Sequence, residues 1–109
     1  MSLREDLIKL SELKETRKWY SEELKKDVYI TKLNTKDGTE LGKLMQSDPN
    51  IFSKLILKSL CDEKGELIFA KNDMPYVNKL PLSFTSELAQ EILIFNKMVK
   101  GAVEKEVKN

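Results

Sequence analysis

The sequence predicts an α+β fold, a small and mostly helical domain with an N-terminal β-hairpin packed on a central buried helix. Two stretches carry that expectation. The run from Asp48 to Phe69, DPNIFSKLILKSLCDEKGELIF, opens as a helix with apolar residues around most of its circumference. Phe52, Leu55, Ile56 and Leu60 recur at the spacing of one helical face, and Ile51, Leu57 and Cys61 fall outside it. A helix that is apolar on several sides is buried on several sides. The second stretch, residues 14–34, holds two runs rich in strand formers, KETRKWY and DVYITKLN, joined by the polar SEELKK. They read as a hairpin, which is marginal alone and must lean on the helices.

In chain order, residues 1–13 form the first element. Ser2 and Glu5 make a capping box, and Leu3, Leu7 and Leu10 then give a narrow apolar stripe on a helix ending near Leu13. Such a helix lies on the edge of the domain or docks against another copy. In the hairpin, Thr16, Lys18 and Tyr20 alternate with Arg17 and Trp19, and Val28 and Ile30 share a face. Trp19 is the natural anchor of the hairpin to the core. Asn34 or Thr35 caps a helix over 36–46 with Leu41, Leu44 and Met45 facing inward.

Asp48 is the expected N-cap of the central helix, with Pro49 in its first turn, where a missing N–H costs nothing. That helix is expected to run through Cys61 and stop at Asp62-Glu63-Lys64-Gly65, a charged turn with Gly free to take positive φ. Leu67 to Phe69 is a short extended segment, and Asn72-Asp73 caps a brief helix ended by Pro81. Ser83 is the expected cap of a last long helix over 84–100, with Gly101 as its stop. Phe84, Leu88, Ile92, Phe95 and Val99 form its core stripe. Leu93 projects half a turn from that stripe, and Ile94 and Met98 widen one flank. The domain thus divides into a helix (1–13), a hairpin (14–34), a helical core (35–100) and a flexible tail (101–109).

Composition removes several functions. With 109 residues, 40% hydrophobic and 34% charged, the chain suits one modest core. The net charge of +1, with lysines interleaved among acids, argues against a concentrated phosphate-binding stripe. The lack of histidine removes the commonest general base and zinc ligand, and with it Ser–His–Asp and Cys–His catalysis. The four glycines make no phosphate-binding or dinucleotide fingerprint. The acid pairs Glu22-Glu23 and Asp62-Glu63 sit in hydrophilic turns and read as solvation. The expectation is a protein that is not an enzyme and needs no cofactor or metal. Cys61, the single cysteine, reads as a buried structural thiol. No secretory signal and no membrane-spanning window occurs, so a cytoplasmic protein without a membrane partner is expected.

Apolar surface is what remains. Leu3, Leu7 and Leu10 at the N-terminal edge, with Leu93, Ile94 and Met98 on the last helix, are the candidate protein-binding residues. For the last helix, an extra buried layer within the monomer is the competing reading. An alternative function, a small nucleic-acid-binding or regulatory protein, would use Lys14, Arg17, Lys18 and Trp19 on the hairpin.

The order of elements resembles the tail assembly chaperones of long-tailed (siphovirus-type) bacteriophages. The pattern comprises MSLREDLIKL, a hairpin ending in VYITKLN, a Thr-initiated helix, ILKSLCDEKGELIF, and a last helix ending in IFNKM with Asn96 near its end. The acidic turn Asp62–Gly65 and the Ile68-Phe69 pair are similar to the family's turn and its apolar-Phe pair. Met74-Pro75 and Pro81 depart from it, standing where relatives have a more acidic helical start. The resemblance implies a non-enzymatic factor of the host bacterial cytoplasm, absent from the finished particle. It implies binding of the tape measure protein, help in recruiting tail tube protein through a frameshifted longer form, and a homo-oligomer. No nucleic acid or membrane partner is implied.

Overall fold

A computed structural model of the chain describes residues 2–98. In chain order it runs α1 (Leu3–Glu12), β1 (Thr16–Ser21), β2 (Lys26–Thr31), α2 (Thr35–Leu44), α3 (Ile51–Ser59), β3 (Leu60–Cys61), α4 (Met74–Val77) and α5 (Leu82–Phe95), with a 3-10 turn, Lys71–Asp73, before α4. The fold is α+β, as the sequence predicts.

Two helices begin where their caps place them. Ser2 Oγ accepts from the Glu5 N–H at 3.2 Å, and Asn34 Oδ1 accepts from the Asp37 N–H at 2.7 Å. Each satisfies a donor that a helix start leaves orphaned. The hairpin pairs Arg17 with Ile30, Trp19 with Val28 and Ser21 with Lys26. Its reversal is held by Ser21, whose carbonyl accepts from Lys25 N–H at 2.8 Å and whose Oγ accepts from Leu24 N–H at 3.2 Å. Lys25 closes the turn at φ 56°.

The central run departs from its expected form. Asp48 is not the helix cap: α3 starts at Ile51 after Asn50, and the Asp48 carboxylate instead accepts from Asn50 N–H and pairs with Lys54. At the other end the helix stops two residues early. Leu60 and Cys61 are extended and pair antiparallel with Ile30 and Tyr29, making β3 the third strand in the order β1-β2-β3. Ser59 Oγ donates to the Thr31 carbonyl at 2.6 Å and ties the switch point to β2. The chain then folds back at once. Asp62 Oδ1 accepts from the N–H groups of Lys64 and Glu66 at 2.8 and 3.0 Å, Gly65 takes φ +88°, and Leu67 bridges Cys61. The extended segment expected at 67–69 is the return arm of this small hairpin.

Around α3 stand α2, α4 and α5. Leu55 and Ile56 of α3, Ile30 of β2, Val77 of α4, and Leu88 and Ile92 of α5 are all 0% exposed and meet in one core. α5 also closes the hairpin. The Phe84 ring lies 6.1 Å from the Trp19 ring, Glu91 pairs with Arg17 at 3.6 Å, and the Arg17 and Lys32 cations lie over Phe95. Trp19 is the anchor that its position suggested.

Both ends of α5 differ from expectation. Pro81, not Ser83, occupies the N-cap position, its carbonyl accepting from Thr85 N–H, and Ser83 Oγ donates to Glu23 in the hairpin turn. The helix ends at Phe95 rather than near residue 100. Met98 N–H donates to the Leu93 carbonyl at 2.8 Å and Lys97 N–H to the Ile94 carbonyl at 3.0 Å, with Lys97 at φ 57°. That is a Schellman stop with lysine at the glycine position. Asn96 locks it, its Nδ2 donating to the Ile92 carbonyl and its Oδ1 accepting from Leu33 N–H, both at 2.8 Å. Val99, the stop proposed at Gly101 and the tail lie outside the described residues.

Two substitutions test these backbone positions. A β-carbon added at Gly65 would sit 3.0 Å from Lys14 Cβ as well as in a left-handed conformation. Gly65→Ala is therefore expected to cost ~1–2 kcal/mol and to lower Tm by roughly 5–10 °C. Lys97→Gly relieves a left-handed lysine and is expected to gain roughly 0.5–1 kcal/mol. Thermal melts by circular dichroism read both, and the two shifts should have opposite sign.

Candidate protein-binding surfaces

Three apolar surfaces stand out once the elements are in place. The first is α1, none of whose residues is buried. Its stripe presents Leu3 at 73%, Leu7 at 54% and Leu10 at 63% exposure. The helix forms because it is capped and acidic in its first turn, with Glu5 and Asp6 at the positive end of its dipole and Lys9 near the other. Its root is fastened. Lys14 Nζ pairs with Glu66 at 2.8 Å, the Lys14 stem lies against Gly65, and the Glu15 carbonyl accepts from Lys32 N–H and Thr31 Oγ1. The acidic turn after β3 therefore positions the base of α1.

The second surface is an open groove of about 440 Å³ between α2, α3 and the segment from Leu67 to Met74. Leu41, Leu44, Leu57, Phe69 and Met74 give it an apolar lining. Its charges are sorted: α2 supplies Asp37 and Glu40, whereas α3 and the following segment supply Lys54, Lys58 and Lys71. The third surface is a shallower concavity beside β2, β3 and the start of α5, where Leu24 and Ile68 are each about half exposed. Leu24 is held there by the Ser21 turn and by the Glu23–Ser83 hydrogen bond.

The candidate residues divide accordingly. Leu3, Leu7 and Leu10 lie together on exposed α1. Leu93 does not face outward: it is 7% exposed and belongs to the core. The expectation assumed one buried stripe, but α5 is covered on two sides, by α3 and by the hairpin, and its buried arc runs from Phe84 and Leu88 through Ala89 and Ile92 to Leu93. Ile94 is half-buried. Met98 is half-buried as well, its Cε 3.9 Å from where a β-carbon on Gly42 would stand, so it packs on α2. The surplus apolar surface of α5 is thus the extra layer within the monomer. Sequence reasoning passed over Leu24, Leu67 and Ile68, whose signal is a leucine in a polar turn and two apolar residues on a short return arm.

The titratable groups have structural partners. The Glu66 carboxylate beside Lys14 raises the lysine's pKa, the Lys54 ammonium beside Asp48 lowers that carboxyl, and the Glu66 and Lys64 N–H groups hold Asp62 below the usual carboxylate range. Burial pushes the Cys61 thiol up to about 11, which is the behaviour of a packed thiol rather than a nucleophile. Among the described residues no cluster of three or more Cys, Asp and Glu could hold a metal ion, and no helix is long and apolar enough to cross a membrane. On the hairpin, Lys14, Arg17, Lys18 and Lys32 each face a carboxylate, and Trp19 is turned onto Phe84. The aromatic needed for a base-stacking platform is spent on the core.

This arrangement of elements is found in a solved structure. The bacteriophage HK97 tail assembly chaperone superposes on the chain with a TM-score of 0.60 and 12% identity, covering 90% of this chain and 97% of that one. The two chains share a fold. No protein-family model and no curated protein matches the sequence. The likeness therefore rests on the path of the chain, nearly end to end, and not on retained side chains.

Leu93→Asp places a carboxylate in the core and is expected to destabilise the monomer by more than ~4 kcal/mol, whereas Leu7→Asp on exposed α1 leaves the melting curve unchanged. Chemical denaturation of the two variants side by side checks this. Cys61 is expected to resist alkylation by iodoacetamide at pH 8 in the folded protein and to react fully in denaturant, read by mass spectrometry.

Proposed function

We propose that the chain is a non-catalytic tail assembly chaperone of a long-tailed bacteriophage, one that holds the tape measure protein in a soluble state and helps bring tail tube protein to it. The observation that carries this reading is the end-to-end match of the fold to the HK97 tail assembly chaperone. The surfaces suit the task. A long helical client offers apolar side chains at spacings of three and four residues, and a small domain can meet them with exposed Leu24 and Ile68 beside the β2–β3 concavity. Each contact is small and hence weak. Several copies along one client multiply weak contacts into stable retention through effective concentration.

In this reading the protein works in the host bacterial cytoplasm, forms a homo-oligomer on its client and leaves before the particle is complete. A longer frameshifted form would carry the contact to the tail tube protein. Catalysis and nucleic-acid binding have no part in it, and the inward-turned Trp19 counts against the hairpin as a nucleic-acid platform.

Co-expression with the tape measure protein encoded nearby tests the proposal. The soluble fraction of the client is expected to rise several-fold with this chain and to fall back with the Leu24→Asp/Ile68→Asp variant, whose fold should be intact because both positions are exposed. A client equally insoluble with and without the chain would overturn the reading.

A further inference from the structure

Among the described residues, α1 and the α2–α3 groove are two apolar features outside the client surface, and they match each other. We propose that α1 of one copy docks in the α2–α3 groove of a second copy, with the stripe Leu3, Leu7 and Leu10 laid along Leu41 and Leu44. This deepens the self-association included in the functional reading above by naming the two surfaces that meet.

The lengths agree. Leu3 to Leu10 is eight residues of helix, as is the α2 lining from Asp37 to Leu44; with seven rises of 1.5 Å from end to end both are about 10 Å long. The charges agree as well. On α1, successive 100° steps place Asp6 on one flank of the leucine stripe and Arg4 on the other. The groove offers carboxylates from α2, Asp37 and Glu40, and ammonium groups from α3 and the segment after it, Lys54, Lys58 and Lys71. With the leucines down, one of the two directions along the groove brings Arg4 to the α2 side and Asp6 to the lysine side, and that direction is the one proposed. Two of the groove charges have a partner to gain: among the described residues Glu40 and Lys71 form no ion pair.

The occupant is a second copy rather than the helix of the same chain. Only Leu13 to Glu15 separate α1 from β1, and that connection is fastened to the sheet and to the Gly65 turn through Lys14 and Glu15. The fastening holds α1 away from its own body, with every residue exposed or half exposed. Because the helix and the groove are different surfaces, each copy can give one and receive the other. The contact is heterologous and propagates along a row of copies. A single ten-residue helix is a small interface, so association is weak and concentration-dependent.

Sedimentation velocity on the purified chain, without client, tests this across a concentration series into the hundreds of micromolar, the reach of so small an interface. Wild type is expected to gain mass with concentration. Leu7→Asp breaks the apolar stripe of α1 without unfolding it, and Ala70→Arg fills the groove from an exposed lining position; each alone should stay monomeric. Mixed one to one, they should form a heterodimer that grows no further, because one intact helix then faces one intact groove. Arg4→Glu and Glu40→Lys should each weaken association, by roughly two- to fivefold for exposed charges, and restore it when combined. Wild type that remains monomeric, Ala70→Arg that associates like wild type, or a mixture that stays monomeric would each overturn the proposal. Circular dichroism confirms that every variant is folded. Since no client is present, a failure here leaves client binding standing, and a failure to solubilise the client leaves this result standing.

Discussion

The fold depends on one switch in backbone conformation, at Ser59–Leu60. β2 is the middle strand of the sheet, and it has two partners only because α3 gives up its helical path there and supplies Leu60 and Cys61 as β3. Had the helix continued, β2 would present an unpaired edge, and Ile30, fully buried at the meeting of β1, β2 and β3, would lose part of its cover. The switch is secured from both sides. Ser59 Oγ donates to the Thr31 carbonyl, and the Asp62 side chain gathers the N–H groups of the turn that follows. Those polar bonds settle where the helix ends; burial of Leu55, Ile56 and Leu60 settles that it stays there.

From that point the remaining elements follow as cover. α5 lies across both halves of the switch, packing its Leu88–Leu93 side on α3 and its Phe84 and Phe95 side on the hairpin. Asn96 closes the arrangement by joining the last turn of α5 to the link between β2 and α2. One side chain thereby gives the half-buried Leu33 N–H its acceptor and adds a second donor to the Ile92 carbonyl, which the Asn96 N–H already meets at 3.1 Å. The acidic turn does comparable work for α1. Gly65 admits the Lys14 stem and Glu66 pairs with its ammonium, so the turn that ends β3 also fixes where the N-terminal helix leaves the domain.

The sequence was most legible where periodicity and capping agreed. The Ser2 cap, Asn34 of the two caps weighed for α2, the hairpin with Trp19 as its anchor, and the apolar centre of α3 all stand in the structure. It was least legible where a tertiary partner overrode a local pattern. Two residues are too few to show a strand's alternation, so Leu60 and Cys61 read as more helix. Ser83 is a good cap by type, but Pro81 enters the helix first and leaves the serine for Glu23. Leu93 looked exposed because a helical wheel shows how wide an apolar arc is, not how many neighbours share it. The exposure of the α1 stripe was legible because nothing packs there to contradict the wheel. The groove was not, since its lining comes from α2, α3 and the return arm together.

A division of labour follows from where the apolar side chains ended up. The greasiest helices, α3 and α5, spend most of their apolar side chains on the monomer, and the buried Cys61 and the partly buried Trp19 are spent there too. Apart from Phe52 on α3, Leu82 at the start of α5, Tyr20 and Tyr76, the large apolar side chains that stay exposed belong to less hydrophobic parts of the chain: the charged α1 and its link to β1, the polar hairpin turn and the short return arm. In the proposed chaperone role, a domain that coats an insoluble helical partner would face the risk of becoming sticky itself, because a broad apolar face attracts any other. On α1 and beside β2 and β3 the exposed leucines and isoleucine are set among charges, Arg4 and Asp6 beside the α1 stripe, Lys26 and Asp62 beside Leu24 and Ile68. Charges at the rim tax the wrong neighbours more than the right ones. Small, guarded apolar contacts repeated over many copies give retention without permanent adhesion, which is what the proposed role, with its later release, would require.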